Sequence, residues 1–277
     1  MLVNGQRVPL SATDPQQACL RQEWLALYQE HGGSVEEIVD TGIPAGSPVV
    51  PCQGLGALRV MVLFSPGREP VIGARVVAHG SSYVAGETDA AGAILFKNLP
   101  PGAYTIEASF TSPNPVVAAA RKYIGNQDWA LSEDRPPYPP GANKCNLFVT
   151  EVVTEAGRAA PWQSRFSLSR LATVEYPPLA GQWADPGIEL GKWRVVSSPV
   201  PSGVVAEKIN YSNATGHVGV VGDPLSGSSA ATVVSAQRVS VAINLPLQTI
   251  SAASSAVLNN DWGFRQGQLP VFRRWQP

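Results

Sequence analysis

Two residues in the C-terminal half of the chain could carry covalent chemistry together, and a third could support them. Cys145 stands in Gly141-Ala142-Asn143-Lys144-Cys145-Asn146-Leu147-Phe148-Val149, at the predicted first turn of a helix whose apolar stripe is Phe148, Val149, Val152, Val153 and Ala156. Asn143 is the expected cap and Gly157 the expected stop. Unpaired N–H groups and the helix dipole favour a thiolate there, so the placement predicts a lowered pKa and a nucleophile. A thiolate acting on an amide also needs an imidazole to hold the proton and return it to the leaving amine. His217 supplies one, in Thr215-Gly216-His217-Val218-Gly219-Val220-Val221. Alternation places His217, Gly219 and Val221 on one strand face, with the glycines leaving room for close approach. A turn around 223–229 and an antiparallel return would set Ser235 roughly opposite His217, where a hydroxyl could orient the ring. Asn244 and Asp261 are alternatives for that third position.

Taken alone, a cysteine at a helix start is more often a small buried hydrophobe. Order and placement of the Cys and His together favour catalysis. Cys19 and Cys52 have no such context. His31 falls on the stripe of a predicted amphipathic helix with Leu20, Trp24 and Leu27, without metal-ligand spacing around it, and His79 reads as an exposed strand-end residue. No metal or cofactor is expected.

The elements that must position these residues follow from composition and period. Gly and Pro number 26 and 25 in 277 residues, and only 15% of residues are charged while 44% are hydrophobic, which argues against helix bundles, coiled coils and disorder. A net charge of −1 offers no basic field for nucleic acid. No apolar run approaches the roughly 18 residues of a membrane span, and no signal peptide is read at the start, so synthesis in the cytoplasm is expected. The fold class expected is α+β. Residues 1–46 form an N-terminal helical segment and linker, 47–111 a small antiparallel β-sandwich, and 112–277 a domain with a helix-borne Cys packed on an antiparallel sheet. Short alternating strands over 56–110 mark the sandwich. Asn114 and Pro115 open a helix that ends at Gly125. Strands are expected near 203–208, 216–222 and 231–245.

Two stretches resemble known families. Pro70-Val71-Ile72-Gly73-Ala74-Arg75-Val76, Glu87-Thr88-Asp89-Ala90-Ala91-Gly92 and Phe96 through Tyr104 look like the transthyretin-like, carboxypeptidase-regulatory type of sandwich. The Asn143-Lys144-Cys145-Asn146 helix start, the Gly216–Val221 strand and the later Val234-Ser235-Ala236 are similar to papain-like cysteine amidases of the NlpC and CHAP superfamily, with Pro178–Trp183 and Asp261–Arg265 adding to the similarity. The resemblance implies a Cys145 nucleophile, a His217 base and an orienting Ser235. The chain departs from it in Pro201-Ser202-Gly203-Val204-Val205, where the usual acidic residue is missing, and in Ser235, a weaker orienter than the residues relatives carry there.

By resemblance the substrate is bacterial cell-wall peptidoglycan peptide. An amidase without a signal peptide, joined to such a sandwich, suggests an antibacterial type VI secretion effector. It would be delivered to the periplasm of a target cell, have a secretion spike protein as partner and be blocked by a cognate immunity protein. Two alternatives stand beside it: a non-enzymatic secretion adaptor with a degenerate amidase fold, and a cysteine deamidase or protease acting on a protein.

Overall fold

The computed structural model describes residues 54–167, 171–209 and 214–277, with a short hairpin of β1 (Leu2–Val3) and β2 (Gln6–Arg7). The amphipathic helix expected before Gly33, together with Cys19, His31 and Cys52, lies outside the described residues. The protein is a sheet-rich α+β fold.

Alternation builds the sandwich as the sequence indicates. In β3 (Gly56–Ser65), Leu58, Val60 and Val62 are wholly buried while the residues between them are more exposed. β4 (Arg75–Gly80), β5 (Tyr83–Glu87), β6 (Ala93–Leu99) and β7 (Gly102–Ser109) follow. Asp89 makes the turn before β6: its Oδ1 accepts the N–H groups of Ala91 at 2.9 Å and Ala93 at 3.0 Å. Tyr104 is a core aromatic whose hydroxyl donates to Pro100 O at 3.0 Å.

The chain then forms α1 (Pro115–Lys122), capped by Asn114, whose Oδ1 accepts the Val116 N–H at 3.0 Å. α2 (Cys145–Glu155) begins at the cysteine and is closed by Gly157 at φ +71°. Its N-cap is Lys144, without a side-chain cap bond, so the expected Asn143 cap is not the one used. A hairpin of β8 (Gln163–Ser167) and β9 (Ala172–Tyr176) and the single turn α3 (Ala180–Trp183) lead to β10 (Trp193–Val196), β11 (Val204–Glu207) and β12 (His217–Val221).

After β12 the chain leaves this domain. The single strand expected over 231–245 is broken at Ser235-Ala236, with Ala236 at φ +53°, into β13 (Gly227–Val233) and β14 (Arg238–Pro246). β13 pairs antiparallel with β7, from Gly227 opposite Ala108 to Val233 opposite Gly102. β14 runs parallel to β3, from Arg238 beside Ala57 to Pro246 beside Ser65. The sandwich therefore consists of sheets ordered β13-β7-β4-β5 and β14-β3-β6, and it does not end at 111. The reason is burial: Val233, Ile243 and Leu245 complete the core that contains Leu58, Val60 and Ile106.

The last strands, β15 (Thr249–Ala252), β16 (Val257–Asn260) and β17 (Val271–Trp275), return to the second sheet, ordered β10-β17-β11-β12-β15-β16. Its two faces are covered differently. Val204, Ala206, Val218, Val220 and Ile250 pack with α1 and α2, whereas Val205, Val221 and Phe272 pack with the sandwich core. The six-stranded sheet thus lies between the helices and the sandwich core. Arg273 on β17 is buried and donates to the carbonyls of Trp183, Asp185, Ile188 and Trp193, which fastens the 183–193 segment to the sheet and offsets the burial of its charge.

Candidate functional site

The site begins where α2 starts. Lys144 is 2% exposed, and its ammonium donates to the carbonyls of Ala130 and Ala142, both at 3.0 Å. That ties the preceding loop to the helix start, and burial lowers the lysine pKa. Asn146 donates through Nδ2 to Tyr138 Oη at 2.7 Å and to Pro178 O at 3.1 Å. Between them Cys145 is 4% exposed, with the backbone N–H groups of Val218 and Asn146 and its own near the sulfur. Those donors favour the thiolate, but loss of solvent outweighs them and pushes the thiol up to about 11. The lowered pKa expected from the helix start is thus overturned by burial.

β12 supplies the imidazole. His217 Nε2 lies 3.0 Å from Ser251 Oγ on β15, and the edge of the ring meets Trp262 with centroids 4.4 Å apart at 84°. Burial pushes the imidazole down to about 4. Gly219 makes the serine contact geometrically possible. A Cβ there would stand 2.4 Å from Thr249 Cγ2 and 2.9 Å from Ser251 Cβ, so a hydrogen atom is all that fits between the strands. Gly216, at φ +151°, brings the chain into β12 where a Cβ would fall 2.2 Å from Glu207 O.

Strand alternation also fixes how the two groups relate. Val218 and Val220 share the helix-side core with Cys145, while His217 and Gly219 alternate to the other face. Cys145 and His217 therefore approach the same end of β12 from opposite faces, with no hydrogen bond between them, and the Val218 amide, next in sequence to the histidine, lies near the sulfur. That end opens into a cavity of about 360 Å³ bounded by Asn143, Gly216, His217, Ser251, Asn260, Trp262 and Arg265, among others. A second depression of about 390 Å³ lies on the outer face of the sandwich, between β4, β7 and β13. His79 stands at its rim, 3.8 Å from Glu107, as an exposed strand-end residue.

Of the three residues singled out from the sequence, Cys145 and His217 both lie at the start of β12 but on opposite faces of it, with no hydrogen bond between them, and Ser235 lies elsewhere. Ser235 occupies the β13–β14 turn on the sandwich, because β12 takes β15 and not the next strand as its partner. Asn244 is exposed on β14, and Asp261 is ion-paired with Arg265 at 2.7 Å. The hydroxyl at the imidazole belongs to Ser251. Thr249–Ala252 is buried at every position, so it shows no alternation by which to recognise a strand. Among the described residues no group of three His, Cys, Asp or Glu could hold a metal ion, and no helix is long and apolar enough to cross a membrane.

Comparison with known proteins adds little to this geometry. No family profile matches the chain, and no curated protein matches it. Among solved structures, the Bacillus anthracis TIE protein aligns with 81% of this chain and 45% of its own, at 9% identity and a TM-score of 0.22. This chain thus spans under half of that protein's length, and a likeness at that score carries no argument about fold or activity.

Proposed function

We propose that the protein is a cysteine hydrolase with a papain-like C-terminal domain, cutting amide bonds in peptidoglycan peptides as an antibacterial effector. The observation that carries this reading is the junction at the start of β12: a helix-start sulfur near the Val218 amide, and in the adjacent strand position a histidine whose Nε2 is engaged by Ser251 and whose ring lines a cavity. Ser251 on Nε2 leaves Nδ1 to take the thiol proton once the ring reaches the sulfur around the end of β12, a contact not made at rest. The thiolate then adds to the peptide carbonyl carbon, with the Cys145 N–H beside the developing oxyanion. The imidazolium returns the proton to the leaving nitrogen as the C–N bond breaks. Water, deprotonated by the same imidazole, hydrolyses the thioester and releases the thiol.

At rest the pair is neutral. Burial holds the thiol up at about 11 and the imidazole down at about 4, so moving the proton between them is uphill before substrate binds. The ion pair must therefore form with substrate in place. This same observation favours a second reading, a degenerate amidase fold serving as a secretion adaptor or binding protein. A transthyretin-like sandwich as the face toward a delivery machine, and an immunity protein over the cavity, belong to the first reading by resemblance.

Digestion of purified peptidoglycan, with products identified by mass spectrometry, separates the two. Wild-type protein is expected to release new amide-cleavage products, and C145A and H217A to lose at least about a thousandfold in rate. Absence of products from walls of varied chemistry, or equal release by C145A, overturns the hydrolase. Cleavage or deamidation of a protein substrate instead would keep the chemistry and replace the target.

A further inference from the structure

Among the described residues, the cavity in which the imidazole stands has one permanently charged residue in its wall, Arg265, beside amides and hydroxyls such as Asn143, Asn260 and Ser254. Asp261 accepts Arg265 Nε and Nη2 on a single oxygen, Oδ1, at 2.7 Å each. A guanidinium carries five N–H donors in a rigid fork, so this pairing occupies one edge and leaves donors for a second acceptor. Residue 265 is itself fixed. Its N–H and that of Gly263 both donate to Gln268 Oε1, and Gln268 Nε2 donates to Glu207 on β11. Both members of the ion pair are half exposed or more, where such a pair contributes little to stability. A cation held this firmly at the mouth of a cavity is chemically matched to an anion, and bidentate guanidinium recognition suits a carboxylate.

We infer that Arg265 is a specificity residue that binds a free carboxylate on the peptide near the scissile amide, with Asp261 as its positioning residue. This rests on the hydrolase reading above and names the class of substrate: a peptide anionic beside the bond that is cut. The carboxylate takes the open edge of the fork, which brings the adjacent carbonyl toward the His217 end of the cavity.

The test uses synthetic stem peptides in which each carboxylate in turn is replaced by its carboxamide, with kcat and KM measured for wild type, R265Q, R265K and D261N. One carboxamide is expected to be cleaved by wild type with a KM tenfold to a hundredfold higher at similar kcat. R265Q should handle the parent peptide as poorly as that carboxamide and no longer distinguish the two, R265K should recover part of the gap, and D261N should raise KM for the parent alone. Equal cleavage of every carboxamide, or a gap that persists in R265Q, overturns the assignment. If wild type cleaves none of the peptides, the hydrolase reading fails, and calorimetric titration of the same series into wild type and R265Q decides the carboxylate site separately. Binding that depends on one carboxylate and is lost in R265Q sustains it, and binding indifferent to both, or none, refutes it.

Discussion

Burial, not helix position, governs the reactivity of Cys145. Backbone N–H groups lie near its sulfur, yet the thiol is pushed up to about 11 because the charged form has no solvent. At pH 7 this leaves about one thiolate in ten thousand, against about one in a hundred at the ordinary value of 9.0. Iodoacetamide should therefore label Cys145 at least about a hundredfold more slowly than free cysteine at pH 7, with the rate climbing tenfold per pH unit toward 11. Peptide mapping resolves it from the other cysteines, and rapid labelling at pH 6 would show that the helix start prevails after all. The same shift acts on stability. An unfolded thiol near 9 releases its proton before the native one, so stability is lost as pH rises from about 9 to 11, by up to about 3 kcal/mol. Urea unfolding of wild type and C145A across that window isolates the contribution, because the alanine variant lacks it.

At the scale of elements, the geometry depends on how closely β12 and β15 approach. Gly219→Ala places a methyl group 2.4 Å from Thr249 Cγ2, and overpacking of that kind costs about 1–3 kcal/mol. Adding Thr249→Ser removes the opposing methyl while keeping the hydroxyl that donates to Trp262 O, so the double variant should regain part of the loss, the contact with Ser251 Cβ at 2.9 Å remaining. A Gly219→Ala variant as stable as wild type to urea would mean that the strands separate freely there. Much of this level was legible from sequence. Alternation marked β3, β6 and β7, Asn114 and Pro115 marked the start of α1, and Cys145 and His217 were placed on the right elements. What could not be read were pairings over long sequence separations. The local pattern of 227–246 says that strands form but not that they join β7 and β3, and an unalternating β15 hid Ser251 altogether.

Across the whole molecule, those long-range pairings join the two halves into one folding problem. The sandwich takes β13 and β14 from the segment between β12 and β15, and Val205 and Val221 of the site-bearing sheet lie in the sandwich core. The strand that carries His217 is thus packed on one side by α2 and on the other by the sandwich, which suits a rigid base for a cavity at the strand's end. Cutting the chain at 111, where composition alone would divide it, should leave neither piece stable. A 47–111 fragment would expose the β3 edge along Ala57–Ser65 and the β7 edge along Gly102–Ala108, both unpaired and prone to association. A 112–277 fragment would expose Val233, Ile243 and Leu245. Each fragment alone is expected to give a collapsed or aggregated NMR spectrum, and co-expression of 1–111 with 112–277 to restore a dispersed spectrum and a single unfolding transition. A 47–111 fragment that unfolds cooperatively by itself would show that β13 and β14 only decorate a sandwich already complete. In that case the cavity's support from beneath β12 would also have to come from α2 alone.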